Sequence, residues 1–255
     1  MKRILKVENL EVQIYPDRND MGHAAADYVQ KKIKDTIDKQ GHANVILATG
    51  SSQFSFLKAL VASKIEWEKV VLFHLDEYYG ISDSHPASFR RYLKERVLDH
   101  VTPKKMYFLN GDADDIEAEM NRYENALKKH PIDIACIGIG ENGHIAFNDP
   151  SVADFKDSRL VKFVKLDEAC RNQQYEEGWF QRLEDVPKEA LTLTIPAILR
   201  SKVISCVVSD DRKAKAVHDA LYGKKSTECP ASILRTHPEI TMFLDNAAAS
   251  KIDTD

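Results

Sequence analysis

A turn able to bind a small anion is indicated by Thr49, Gly50, Ser51 and Ser52. These residues follow an apolar run and open an amphipathic one, so they are expected to join a strand to a helix. Small residues let backbone N–H groups approach an anion, hydroxyls add donors, and the helix N-terminus adds its positive dipole end. An ordinary serine N-cap would explain the same residues equally well. The lysine of a Walker A loop and the glycine pattern of a dinucleotide fingerprint are both missing, which disfavours ATP and NAD.

Two adjacent acids, Asp76 and Glu77, follow the apolar run 70–75. Carboxylates at the end of a buried strand are costly unless they are paired or used, because burial disfavours their charged form. One of them could therefore act as a general base with a raised pKa. A helix N-cap and a metal ligand are the alternatives, although only His74 and His85 are near in sequence to complete a metal site.

A loop rich in glycine follows the most apolar run of the chain, 132–139. Gly138, Gly140 and Gly143 indicate a tightly folded backbone or one that a ligand approaches closely. His144 comes next, and imidazole is the side chain best suited to proton transfer near neutral pH. Asp149, five residues further on, could orient that imidazole. A structural histidine is the competing interpretation.

Other chemistries find little support in the sequence. No Gly-x-Ser-x-Gly elbow is present, which disfavours serine hydrolysis. The nine histidines show neither HxH nor HExxH spacing, so no metal site is predicted. With ATP and NAD also disfavoured, no cofactor is predicted. The formal net charge of −4 excludes a dominant basic surface for nucleic acid.

The composition favours a soluble cytoplasmic protein and leaves room for local basic pockets that could bind a small anion. No apolar run approaches the ~20 residues of a membrane helix, and no signal peptide is readable. The four cysteines form no CxxC pair and are expected to be reduced and mostly buried.

Short apolar runs alternate with longer amphipathic ones along the whole chain. Strands are predicted at 10–15, 44–48, 70–75, 132–139, 158–165, 190–194, 203–208 and 240–244. Helices are predicted at 18–40, from the turn 49–52 to about 63, and at 86–99, 112–130, 211–221 and 231–236. This alternation predicts an α/β fold with a doubly wound, mostly parallel sheet and helices on both faces. Without a linker or repeat, residues 1–255 are expected to form one domain, with its site beyond the carboxyl ends of the strands.

The order and spacing of these segments resemble the glucosamine-6-phosphate deaminase/isomerase family, which is related to the 6-phosphogluconolactonases. The resemblance runs from about residue 10 to residue 245 and includes the segments 85–89, 185–192 and 230–238. It implies a modified Rossmann-like fold and conversion of a hexosamine 6-phosphate to a ketose 6-phosphate with release of ammonia. It also implies a homo-oligomer.

The resemblance assigns a role to each matching position. Asp76 matches the base that moves a proton between C2 and C1 of the open sugar. His144 matches the acid/base that opens the ring, and Asn142 and Asp149 match its two supporting residues. The positions that match substrate or phosphate contacts are Thr49, Gly50, Ser51, Ser52, Gly138 and Lys213.

The sequence departs from the family pattern at three places. Asn142 replaces a frequent aspartate, and Asp149 is shorter than the usual glutamate. The arginine that grips the phosphate is absent, and Glu176 falls at its position, where it would repel a phosphate. Either Arg171 supplies the missing guanidinium from one helical turn away, or the substrate differs at that end.

Two other functions remain as alternatives. One is a lactonase acting on a phosphorylated sugar lactone, and the other is a sugar-phosphate-binding protein with little turnover. The sequences at 76–78 and 142–145 favour the deaminase over the lactonase. The sequence does not identify which hexosamine phosphate is the substrate.

Overall fold

An eight-stranded sheet forms the centre of the computed structural model, which describes residues 2–252. In chain order, the strands of the described residues are β1 (Arg3–Val7), β2 (Leu10–Tyr15), β3 (Ala43–Leu47), β4 (Val70–His74), β5 (Asp76–Tyr78), β6 (Lys105–Met106), β7 (Ile134–Ile137), β8 (Val161–Lys165), β9 (Glu189–Leu193), β10 (Val203–Val208) and β11 (Ile240–Asp245). The central sheet has the order β1-β2-β11-β10-β7-β3-β4-β6. All its neighbouring strands are parallel except β1 and β2, which are antiparallel.

Helices cover the sheet on both faces. They are α1 (Arg18–Gln40), α2 (Phe54–Val61), α3 (Phe89–Leu93), α4 (Ile116–Lys129), α5 (Glu168–Glu176), α6 (Ile195–Leu199) and α7 (Ala214–Tyr222). One buried cluster joins α1 and α2 to the sheet, and a second cluster joins α4 and α7 to the other face. Within residues 2–252, every helix is too short or too polar to cross a lipid bilayer.

The longest helix, α1, shows how local sequence sets these elements. Asp17 caps its start by accepting hydrogen bonds from the N–H groups of Asn19 and Asp20. Gly41 ends it in the left-handed conformation, with φ of 81°. The apolar residues between them recur every three or four positions and are buried against the sheet.

The predicted α/β fold is confirmed, with differences in detail. The predicted strands lie within a few residues of the observed ones, while 231–236 forms part of a 3₁₀ helix, Pro230–Thr236. A second, antiparallel sheet with the order β5-β9-β8 has no counterpart in the predicted architecture, and α5 and α6 are likewise additional elements. These elements are short or almost wholly polar, so hydrophobic periodicity gives little sign of them.

Glu77 ties β5, the strand that follows β4, to the start of α3. Its carboxylate is fully buried and accepts five hydrogen bonds. The donors are the N–H groups of Tyr78, Phe89 and Arg90, the Ser88 hydroxyl and the Arg90 Nε. Of the two adjacent acids, Glu77 therefore has the structural role.

Replacing Glu77 by Ala should reduce the free energy of unfolding by about 3–5 kcal/mol, because the buried Arg90 guanidinium loses its buried counter-charge. Urea unfolding measures this loss. Asp112→Ala is the matched control, since Asp112 also pairs with Arg90 but is 44% exposed. It should cost less than about 1 kcal/mol. Equal losses in the two variants would contradict the structural role of Glu77.

Candidate active site

Four neighbouring parallel strands, β10, β7, β3 and β4, send their exit loops to one pocket. The pocket opens to solvent and, with that open space included, spans about 590 Å³. The predicted site residues that line it are Thr49, Gly50, Ser51, Ser52, Asp76, Gly138, His144 and Lys213. The carboxyl ends of parallel strands share one edge of a sheet, so residues far apart in sequence meet here.

The turn after β3 forms one wall of the pocket. Gly50 has φ of 99°, a conformation that favours glycine, and its carbonyl accepts a hydrogen bond from the Tyr92 hydroxyl. A 3₁₀ turn, Ser51–Gln53, then leads into α2. The Gln53 amide donates to the Val207 carbonyl at 3.1 Å, which ties the turn to β10. The backbone is thus held in place before any ligand binds.

Asp76 is the first residue of β5 and lies two residues beyond the end of β4. Its side chain is buried, and within residues 2–252 no hydrogen bond or ion pair neutralises its carboxylate. Burial, with a smaller contribution from the negative charge of Glu77, raises the pKa of Asp76 well above its usual 3.8. This is the environment of a carboxylate that can accept a proton from carbon or oxygen at moderate pH.

His144 is oriented by a hydrogen-bonded group behind the pocket wall. Its Nδ1 lies 2.7 Å from Asn142 Oδ1 and 3.0 Å from Asp149 Oδ1. Asn142 Nδ2 donates to the same Asp149 oxygen at 3.0 Å, and Asp167 N donates to the other oxygen. Burial alone would raise the pKa of Asp149, but the charge and hydrogen bond of His144 outweigh this effect. The net pKa is lowered, which favours the carboxylate form. Because these contacts engage Nδ1, Nε2 is the ring nitrogen available to the pocket.

The glycines beside His144 leave room for its ring. A Cβ on Gly140 would lie 2.1 Å from His144 Cε1, a distance that would force the imidazole to move. Gly143 has φ of 82°, and a Cβ there would lie 2.7 Å from Cys229 Sγ. Both positions therefore explain the glycine-rich pattern that the sequence shows before His144.

One group of side chains has donor atoms close enough to hold a metal ion. His144, Asp149 and Cys170 place their donor atoms within 4.8 Å of one another. Burial, followed by the negative charge of Asp149, raises the pKa of the Cys170 thiol, which disfavours the thiolate that a metal requires. The imidazole and carboxylate are already hydrogen-bonded to each other and to Asn142. The donor set is better suited to orienting His144 than to metal coordination.

The other end of the pocket contains an ion pair. Lys213 is buried, and its Nζ lies 3.5 Å from Glu177 Oε1 and 3.7 Å from Glu141 Oε1. Burial lowers the pKa of Lys213, while the two glutamates oppose this effect. The Ser51 hydroxyl donates to Glu177 Oε2 at 3.2 Å. Glu177 thus already contacts Ser51 and Lys213, two residues that the resemblance matches to phosphate contacts.

Arg171 is placed differently from the expectation. Its guanidinium donates to the carbonyls of Leu183 and Val186 and does not line the pocket. Glu176 is also outside the pocket and exposed to solvent. Arg171 is directed away from the pocket because its guanidinium binds the carbonyls of the turn after α5. The acid that lines the pocket is Glu177, the residue after Glu176.

Sequence reasoning missed the contribution of α5. Gln173 and Gln174 line the pocket and are fixed by Glu141 N and the Tyr78 hydroxyl, respectively. No sequence pattern identifies them, because α5 is polar around most of its circumference. The only signal was the missing phosphate-binding arginine, which marked this segment as unusual.

Comparison with known proteins places this arrangement in a family. The family model described as glucosamine-6-phosphate isomerases/6-phosphogluconolactonase matches residues 16–242. The chain belongs to this family. The resemblance seen in the sequence is thereby confirmed.

Among curated relatives, the glucosamine-6-phosphate deaminase of Listeria monocytogenes serotype 4a (strain HCC23) is 38% identical over 224 residues. The alignment covers 86% of this chain and 94% of that protein. The glucosamine-6-phosphate deaminase of Exiguobacterium sp. (strain ATCC BAA-1283 / AT1b) is also 38% identical, over 220 residues, covering 86% of this chain and 84% of that one.

Two solved structures confirm the fold. A monomeric glucosamine-6-phosphate deaminase of the NagB superfamily superposes with a TM-score of 0.86 at 34% identity, covering 94% of this chain and 98% of that one. The 6-phosphogluconolactonase from Leishmania guyanensis superposes with a TM-score of 0.77 at 18% identity, covering 95% and 98%, respectively. The second likeness concerns the fold alone.

Replacing Asp76 by Asn should stabilise the protein at neutral pH, because burial penalises the charged form of Asp76 in the folded chain. A carboxyl group with a raised pKa in the folded chain binds its proton more tightly when folded. Stability therefore falls as pH rises from about 3.8 through the raised pKa. Asn removes this penalty, so the variant should be more stable than the parent at pH 7, with the difference shrinking on acidification.

Urea unfolding at several pH values measures this effect. Asp114→Asn, at a solvent-exposed position, is the control and should change little at any pH. A destabilised Asp76→Asn variant at pH 7 would show that the buried carboxylate is not a cost to the fold.

Proposed function

We propose that this protein is a glucosamine-6-phosphate deaminase, which converts a hexosamine 6-phosphate and water to a ketose 6-phosphate and ammonia. Family membership and the 38% identity to curated deaminases support this activity. The observation that carries the proposal is that Asp76 and His144 line one pocket together with the turn 49–52. A general base, a ring-opening acid/base and an anion-binding turn thus face the same ligand.

Ring opening comes first, because the C2 hydrogen of the sugar is acidic only when C1 is an aldehyde. His144 acts here, with Nε2 moving a proton between the C1 hydroxyl and the ring oxygen. Asn142 and Asp149 hold Nδ1, so the ring presents Nε2 to the pocket. Asn142 contributes orientation through hydrogen bonds and carries no charge, which leaves Asp149 as the only anion that contacts this imidazole among the described residues.

Asp76 then moves the proton between carbons. Its carboxylate removes the C2 proton to give an enolamine and returns that proton to C1, which produces an imine at C2. Water adds to this imine, and the C–N bond breaks to release ammonia and leave the ketose. Water is consumed, so the overall deamination is formally a hydrolysis. The raised pKa of Asp76 suits both halves of the proton transfer, because the group must accept a proton and then give it back.

Replacing Asp76 by Asn should lower kcat for ammonia release from glucosamine 6-phosphate by at least about 10²-fold, since a positioned base contributes ~10²–10⁴-fold. His144→Gln should cause a loss of similar size. A coupled ammonia assay measures both, with Asp114→Asn as a control that should keep full activity. Acid release from 6-phosphogluconolactone, measured in parallel, tests the lactonase alternative. Lactone hydrolysis without ammonia release would overturn the proposed activity.

The decrease of kcat/KM at acidic pH should report the protonation of Asp76. The base must be ionised, so activity falls as pH drops through its pKa, and burial places this fall above pH 3.8. His144→Gln separates the two groups, because its residual activity should retain this decrease. Disappearance of the decrease in that variant would assign it to His144, and a midpoint at or below 3.8 would contradict the raised pKa.

The proposal also includes a cytoplasmic location and assembly into a homo-oligomer. A phosphorylated sugar substrate supports the cytoplasmic location. Assembly is tested by light scattering, and the solved deaminase described as monomeric provides the contrasting case.

A further inference from the structure

The anion-binding end of the pocket is filled by a carboxylate of the protein. Glu177 Oε2 accepts hydrogen bonds from the Ser51 hydroxyl and Trp179 Nε1, each at 3.2 Å. Its Oε1 accepts from Gln173 Nε2 at 2.9 Å and lies 3.5 Å from Lys213 Nζ. The side chain is only 4% exposed. Donors expected to hold a phosphate are therefore already satisfied by an internal anion.

The charges at this end are balanced before any substrate arrives. Lys213 and Arg212 provide the positive charges, and Glu177 and Glu141 provide the negative ones. Arg212 is also paired with Asp210, whose charge is in turn matched by Arg18. A phosphate dianion added beside Glu177 would face a like charge at short range, and such a juxtaposition is unfavourable. Phosphate and the Glu177 carboxylate are thus competitors for the same donors.

We propose that Glu177 is a specificity-determining residue, and that a substrate phosphate binds only by displacing its carboxylate from Ser51 and Lys213. This inference rests on the proposed function for the identity of the substrate. The local backbone suits such a movement, because Glu177 follows the end of α5 and precedes Gly178, an exposed residue with φ of 80°. A sugar that ends in a neutral hydroxyl cannot replace the negative charge of Glu177 beside Lys213. Displacement of Glu177 therefore selects for a substrate that ends in an anionic group.

Binding of inorganic phosphate tests the competition directly and without turnover. Calorimetry on the parent chain, Glu177→Gln and Glu176→Gln should show phosphate binding at least about tenfold more tightly to Glu177→Gln, because one like charge has been removed. Glu176→Gln is the matched control, since it removes the same charge from the adjacent, exposed position. Equal or weaker phosphate binding by Glu177→Gln would overturn the inference, and so would equal tightening in both variants.

A second measurement uses the unaltered chain and does not depend on the variant folding. Displacement of Glu177 breaks its hydrogen bond to Trp179 Nε1. Phosphate should therefore change the combined emission of Trp67 and Trp179 with the same saturation curve as the calorimetry. Phosphate binding with constant emission would show that Glu177 stays in place.

Turnover separates this inference from the proposed function. With glucosamine 6-phosphate, Glu177→Gln should have a KM lowered by about tenfold, with kcat changing less. If the parent chain releases no ammonia while Glu177→Gln still binds phosphate more tightly, the deaminase activity fails and the role of Glu177 stands. If ammonia is released but phosphate binding is not improved, the role of Glu177 fails alone.

Discussion

The burial of two adjacent carboxylates at the end of β4 is the constraint on which the site depends. Glu77 satisfies its charge with five donors from β5 and the start of α3, and this network holds the backbone in place. Asp76, one residue earlier, points into the pocket and receives no such neutralisation within the described chain. The protein thereby tolerates one unpaired buried carboxylate, and the raised pKa of that group makes it suitable for moving a proton.

His144, which lines the same pocket, is held by a different set of contacts. Asn142 and Asp149 engage its Nδ1, and Gly140 leaves space for its ring. Asn142 holds the ring by hydrogen bonds and carries no charge, so Asp149 is the one anion that contacts the imidazole among the described residues. The orientation of His144 thus depends on hydrogen-bond direction and on the absence of a Cβ, as well as on charge.

The two ends of the pocket have contrasting electrostatics. Asp76 is a carboxylate without a counter-charge among the described residues, whereas Glu177 is a carboxylate with several donors. Substrate binding on the proposed mechanism makes use of both. The sugar brings an acidic C–H to the unpaired group, and the phosphate replaces the paired one. Chemistry and recognition are thus separated along one ligand.

The sequence by itself determined the α/β fold, the order of the strands along the chain and the loops that carry chemistry. These features appear as local signals in the sequence: continuous apolar runs, glycine-rich loops after strands, and the two acids after β4. Burial and turn geometry explain each of them. Asp76, His144 and the turn 49–52 could be predicted for this reason. Their meeting in one pocket also followed, because parallel strands place their carboxyl ends together.

Only the tertiary structure decided which of several similar polar groups faces the pocket. Sequence spacing cannot separate Glu176 from Glu177, because α5 is polar on most sides and its rotation is set by contacts with Tyr78, Glu141 and the carbonyls that hold Arg171. The division of roles between Asp76 and Glu77 has the same origin, since each role depends on whether residues distant in sequence supply donors.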